Sequence, residues 1–187
     1  GMLGVVTEVT VRILRAPESA RALLIAFNSS ESAGACVAGI IAAGIIPGGM
    51  EMMDKPSIEA AEDFVHAGYP REAEALLIVE LDGPPVEVDH LVGHVEKIGL
   101  ANGATQCRIS ASEAERHAFW AGRKAAFPAI GRLSPDYYCM DGTIPRKELA
   151  KVLAGMRKLS ERHGLRVANV FHAGDGNLHP LILYDAN

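Results

Sequence analysis

Residues 22–53 read ALLIAFNSSESAGACVAGIIAAGIIPGGMEMM, and this stretch decides the fold. The apolar run Ala22 to Phe27 predicts a strand, Ser30 to Ala43 a small-residue helix begun by a Ser cap, and Ile45 to Met53 a second strand interrupted by Pro47-Gly48-Gly49. A short helix over Ser57 to Ala67 links this unit to a repeat of the same order. Ala75 to Leu81 is a continuous apolar strand, Val86 to Asn102 a helix ended by Asn-Gly, and Thr105 to Ile109 another strand. Two β-α-β units in succession predict an α+β fold, a ferredoxin-like split βαβ antiparallel sheet with helices on one face. The glycines among residues 38–44 let the first helix lie close to its sheet, and neither half contains a phosphate-cradling GxGxxG or Walker loop.

On both sides of this core the pattern changes. Residues 5–14 alternate as a strand does, and Ala16-Pro17-Glu18 breaks it, so a boundary is expected near Pro17. After Ile109, Ser112-Glu113-Ala114-Glu115 can cap a helix to about Phe127, Pro128 to Asp136 reads as loop, and Tyr137 to Thr143 as extended. A further helix opens at Pro145 and ends near His163-Gly164. Val167 to Phe171 and Leu178 to Tyr184 then form the arms of a hairpin, completing a C-terminal helix and hairpin extension.

Composition sets wider limits. The 187 residues, 49% hydrophobic and 22% charged, suit one or two compact soluble units. Net charge is −5 and the Lys and Arg residues are scattered, which gives nucleic acid no basic stripe to bind. The longest apolar stretches fall short of the roughly 20 residues of a spanning helix, so no transmembrane segment is expected. Cys36, Cys107 and Cys139 are odd in number and form no CxxC, which fits reduced thiols better than a disulfide framework. The chain opens and closes on strand-like sequence, which reads as part of a longer protein, and Gly1 is either natural or left from a tag.

The chemistry concentrates in Phe171-His172-Ala173-Gly174-Asp175-Gly176-Asn177-Leu178-His179-Pro180. With Asp175 and Gly176 as the central residues of a type I′ turn, His172 faces His179, and directly opposed Cβ atoms lie about 4.5 to 5.5 Å apart. Imidazole binds zinc at roughly 2.0 to 2.1 Å, so the pair could clamp one ion; equally, they could be two partly buried histidines bonded to backbone. Asp175 serves the turn, and Asn177 either orients a histidine or closes it. Trp120, Arg123 and Phe127 share one helical face, where a desolvated guanidinium could grip a carboxylate by two parallel hydrogen bonds or pair with a structural Asp or Glu. Lys124 is solvated. Asp141 is expected to cap a helix or form a turn. His66, His90, His94, His117 and His163 lie on helices or at their ends, and His90 with His94 makes an i, i+4 pair.

The motifs His172-x-Gly-Asp-Gly-Asn-x-His179, Phe119-Trp120-Ala121-Gly122-Arg123-Lys124-Ala125-Ala126-Phe127-Pro128, Ser134 through Arg146 and Pro47 through Asp54 together resemble one family. It is the C-terminal, substrate-binding cap of the FAD-linked 2-hydroxy-acid oxidases and dehydrogenases, vanillyl-alcohol-oxidase-like flavoproteins, and the likeness is greatest to the glycolate oxidase branch. The resemblance implies that residues 1–16 are the last strand of a truncated FAD-binding domain, with Gly4 and Val5 beside the flavin. Residues 17–187 would be the cap, incomplete at its C-terminus.

Several roles follow from the resemblance rather than from spacing. Arg123 would bind the substrate carboxylate, and His172 and His179 would ligate a divalent metal such as zinc. A Gly-Glu-His-Gly segment, which this chain stops before reaching, would supply a third ligand and the base, so no catalytic residue lies within the chain. The complete protein would oxidise glycolate or D-lactate to the 2-oxo acid with FAD as hydride acceptor, while the chain alone would be inactive. Phe127 and Cys139 replace polar positions of some relatives and favour a short acid. The implied partners are other oxidase subunits or a second copy, in the cytoplasm, with any inner-membrane association made through those subunits. The rival reading is a stand-alone ferredoxin-like metal- or ligand-binding module.

Overall fold

The computed structural model describes residues 3–187. Gly1 and Met2, at the head of the stretch assigned to a flavin-domain strand, lie outside the described residues. The strand expected over residues 5–14 is not formed: the segment has no regular structure, and Val5, Val6, Val9, Val11, Ile13 and Leu14 are all exposed. A β-strand is held by its neighbours, and no sheet edge among the described residues pairs with this one.

Regular structure begins with β1 (Ser19–Phe27), followed by α1 (Ser30–Ala42), β2 (Gly49–Asp54), α2 (Lys55–Val65), β3 (Ala75–Gly83), α3 (Pro85–Ala101) and β4 (Ala104–Ile109). The serine cap expected for α1 is Ser29, which accepts from the Ser32 amide at 3.1 Å. β2 starts only after Pro47-Gly48, because proline cannot donate to a ladder. These strands pair antiparallel in the order β4-β1-β3-β2, the split βαβ arrangement expected.

Three more strands extend that sheet beyond β2. After α4 (Glu113–Ile130) come β5 (Asp136–Cys139), β6 (Gly142–Thr143), a 3₁₀ turn at Arg146–Glu148, α5 (Leu149–His163), β7 (Arg166–Phe171), β8 (Asn177–Leu178) and β9 (Pro180–Tyr184). The full order is β4-β1-β3-β2-β7-β9-β5, with β6 and β8 forming a separate pair. Ser112 caps α4 at the Glu115 amide (3.2 Å), and the helix carries Pro128 in its last turns instead of stopping at Phe127.

Helices cover both faces. Leu23, Ile25 and Phe27 of β1 face α1, α3 and α5, so the two helices of the split βαβ unit share one side as expected. Ala22, Leu24 and Ala26 face the other way, against the linker helix α2 and against α4. An unbroken apolar run such as Leu76-Leu77-Ile78-Val79 requires this, since alternate residues point to opposite faces and each needs a cover. The second face is the one that carries the site. Gly122 lets α4 close onto it, because any side chain there would collide with the Tyr69 ring, whose hydroxyl donates to the Phe119 carbonyl.

Candidate functional site

α4 crosses the sheet above two acids of the central strands. Arg116 and Trp120 both reach Glu80 of β3, at 2.8 Å and 2.6 Å. Two turns further along the helix, Arg123 meets Glu51 of β2: its Nε lies 3.0 Å and its Nη2 2.8 Å from Oε2. Both side chains are almost dry, 10% exposed for Arg123 and 12% for Glu51. Arg123 is therefore paired with an acid, and the expected free two-pronged grip is half taken: the Nε–Nη2 edge belongs to Glu51, leaving the Nη1–Nη2 edge.

The second carboxylate oxygen, Glu51 Oε1, lies 2.8 Å from His172 Nδ1. His172 and His179 rings are T-shaped at 5.1 Å between centroids, and Phe127 closes the far side with its ring 6.1 Å from His179. Arg123, Glu51, His172 and His179 thus form one continuous cluster on the α4 face. Lys124 is exposed, as expected.

The hairpin holds its histidines by a different turn from the one expected. His172 pairs with Asn177, not with His179: each amide donates to the other's carbonyl, at 3.1 and 3.3 Å. Only Gly176 of the loop has positive φ, +73°, so Asp175 is not the first residue of a type I′ turn. The four-residue loop is set by tertiary contacts. Gly174 N donates to Met50 O at 3.0 Å, Ile144 N donates to Gly176 O at 2.9 Å, and a side chain at 176 would strike the Ile144 carbonyl. The register slips by two residues, which preserves the face of every side chain, so the histidines remain diagonal neighbours on one side.

Asp141 is also reassigned. The helical turn that follows it has Pro145 at its N-cap, and Asp141 instead brings a carboxylate oxygen to 3.5 Å from His179 Nδ1. Burial lowers the His179 pKa below the usual imidazole value; Asp141 opposes this, and His172 and Arg123 reinforce it. A neutral ring keeps a lone pair available to a ligand. Asn177 closes the loop through its backbone, and its side-chain oxygen is buried without a partner.

Among the described residues no three His, Cys, Asp or Glu side chains gather to hold a metal ion. The two imidazoles, with ring centroids 5.1 Å apart, would supply two of the donors a metal site needs. Glu51 and His172 also line a cavity of about 200 Å³ with the Pro47-Gly48-Gly49 loop, Arg146 and Gly174. Gly4 and Val5 stand apart from this cluster: both are exposed, and nothing lies within 4 Å of a Cβ built on Gly4. His90 and His94 do approach, with ring centroids 4.3 Å apart, on the exposed side of α3. Glu51 is the site residue that periodicity missed. Its signal is an acid set among apolar neighbours in Gly49-Met50-Glu51-Met52-Met53, where burial demands a cationic or donor partner.

Comparison with known proteins places the chain in a family. The chain is 64% identical over its whole length to glycolate oxidase subunit GlcD of Escherichia coli, covering 38% of that protein. It is 34% identical to the Bacillus subtilis GlcD over 99% of the chain, and 29% identical to a D-lactate dehydrogenase of Anaerostipes hadrus over 96%. It spans about two fifths of the length of these relatives. Among solved structures, p-cresol methylhydroxylase with substrate bound shares the fold at a TM-score of 0.64 and 13% identity, covering 90% of this chain and 39% of that one. The family described as FAD linked oxidases, C-terminal domain, matches residues 16–187, and the chain belongs to it.

Proposed function

We propose that this chain is the substrate-binding cap of a flavin-dependent oxidoreductase that converts a small 2-hydroxy acid, glycolate or D-lactate, to the 2-oxo acid. The observation that carries the reading is the convergence of Arg123, Glu51, His172 and His179 beneath the C-terminal half of α4, in a family of FAD-linked oxidases. Residues 17–187 would form the cap, and residues 1–16 would join the flavin-binding domain, with Gly4 and Val5 packing beside the cofactor. The exposed apolar side chains of that segment support such a seat. Partner subunits, as the subunit names of the relatives suggest, would bind the complete protein in the cytoplasm. No helix among the described residues is long and apolar enough to cross a membrane.

The residues divide the work as follows. Arg123 binds the substrate carboxylate through its Nη1–Nη2 edge, and Phe127 beside His179 keeps the adjoining space apolar, which suits a short acid over a dicarboxylate. His172 and His179 orient the hydroxyl, directly or as two ligands of a divalent metal such as zinc, which when bound supplies Lewis acidity. FAD supplies the hydride-accepting chemistry.

The test is anaerobic mixing of the full-length protein with glycolate, D-lactate and D-2-hydroxyglutarate while flavin absorbance is followed. Bleaching by the two short acids and not by the dicarboxylate is the expected result. No bleaching by any 2-hydroxy acid would remove the functional reading. The 187-residue chain alone is expected to be colourless, and stoichiometric flavin on it would overturn the domain division.

A further inference from the structure

One carboxylate holds both arms of the site. Glu51 gives Oε1 to His172 and Oε2 to Arg123, and neither oxygen does double duty across the pair. We propose that Glu51 is the positioning residue of this site, fixing which nitrogen of His172 is free and which edge of Arg123 meets a ligand. The inference rests on the reading of the cluster as a 2-hydroxy-acid site.

An ionised carboxylate only accepts hydrogen bonds, so the neutral His172 ring must carry its proton on Nδ1 and leave the Nε2 lone pair open. The side chain is 46% exposed, which leaves the ring open to approach by a ligand. At Arg123 the same carboxylate occupies the side edge of the guanidinium. The end edge is then the one able to take two parallel hydrogen bonds from a substrate carboxylate. Glu51 also matches the Arg123 charge before any ligand arrives. An anionic substrate therefore enters a pair that is already neutral, and its own charge must be met from the histidine side.

Neither close substitute for Glu51 can do this. A glutamine amide has one accepting atom, and its NH₂ would face a donor of Arg123 or His172. Aspartate keeps the charge but is one methylene shorter, and the backbone cannot advance because Met50 and Met52 are locked in the opposite core. Each variant therefore releases at least one partner.

The experiment uses the full-length protein. Zinc affinity is measured by competition with a chromophoric chelator, and kcat and KM with glycolate, for wild type, Glu51→Gln, Glu51→Asp, His172→Ala, Arg123→Ala and the Glu51 changes combined with each. Glu51→Asp retains a charge opposite Arg123, so it guards against a Glu51→Gln variant that does not fold. Loss of a carboxylate behind a metal-binding histidine typically weakens the metal by about 10- to 100-fold, and that is the expected loss for both variants. In the His172→Ala background the same changes should add nothing, because Glu51 acts through that ring. KM should rise by roughly tenfold with a smaller change in kcat, again only while Arg123 is present.

Folded variants with zinc affinity and KM both within twofold of wild type would overturn the proposal, as would losses that add in full to His172→Ala and Arg123→Ala. A wild-type protein that binds no zinc would remove the metal from the functional reading. Glu51 would then stand on a KM rise that depends on Arg123, and fall without it.

Discussion

The four strands β4-β1-β3-β2 and the three strands β7-β9-β5 form one sheet, but they are joined very differently within themselves and to each other. β1 and β3 pair without interruption from Ser19↔Gly83 to Phe27↔Ala75, with apolar side chains into both faces. The seam between β2 and β7 has only Met52↔Phe171 and Met53↔Val170 in register. Beyond those pairs, polar side chains take over. Glu51 reaches His172 on one side of the seam, and on the other Asp54 accepts from the Asn169 amide (2.9 Å) and the Asn169 side chain (2.7 Å). The difference teaches where this fold has room for chemistry: a buried charge is admitted where the backbone ladder is short and side chains complete the join.

The comparison breaks most plainly if damage to the four-stranded half reaches the site. Leu77→Ala, at a fully buried position of the central strand, should cost about 4 kcal/mol of stability by denaturant unfolding while leaving KM of the folded protein unchanged. A shifted KM would mean that the halves are not separable.

The seam itself is tested by pH. Burial pushes the Asp54 carboxyl up from 3.8 to about 6, against the opposing hydrogen bonds from Asn169 and Ser57. Because the folded value is the higher one, the contribution of this group is fully present below about 3.8 and is lost as pH rises through about 6. The stability of wild type relative to Asp54→Asn should therefore be greatest at about pH 3 and should fall by about 3 kcal/mol by neutral pH. A constant gap across that range would show that the four donors around Asp54 fully offset its burial, and a gap that grew with pH would show that they outweigh it.

Much of the four-stranded half was legible in the sequence, because its strands are unbroken apolar runs and its helices carry local end signals, a serine cap before α1 and Asn102-Gly103 after α3. The seam was not, since nothing near Glu51 in the chain announces partners at positions 123 and 172. The hairpin shows an intermediate case. Asp175-Gly176 is a strong local turn signal, yet contacts from Met50 and Ile144 impose a longer loop and a two-residue slip. The histidines still fall on one face because strand side chains repeat every second residue, so an even slip conserves parity. The segment over residues 5–14 has the alternation of a strand and no partner for it, a reminder that the pattern marks readiness to pair and not pairing.

Two smaller effects sharpen the contrast. Arg123→Lys in the full-length protein should lower kcat/KM by about 2 kcal/mol in transition-state terms, since an ammonium cannot satisfy Glu51 and a substrate carboxylate with two separate edges. Steady-state kinetics with glycolate checks this, and an unchanged value would leave Arg123 with its structural pairing alone. His90→Ala, on the exposed side of α3 in the four-stranded half, should alter stability by no more than about 0.5 kcal/mol. Thermal unfolding with and without added zinc would reveal a larger effect if the His90–His94 pair had a ligand of its own.

Tyr69, seated in the notch that Gly122 opens on α4, works as an indexing pin. A helix of this kind turns by about 100° per residue, so slipping α4 one position in its seat would swing Arg123 away from Glu51 altogether. The pin engages the helix at the turn just before Arg123, while Phe127 lies a turn beyond it. On the proposed function, side chains at that outer turn can be exchanged to reshape the pocket for a different acid without disturbing the aim of the guanidinium, a route from one scaffold to several substrates by substitution there.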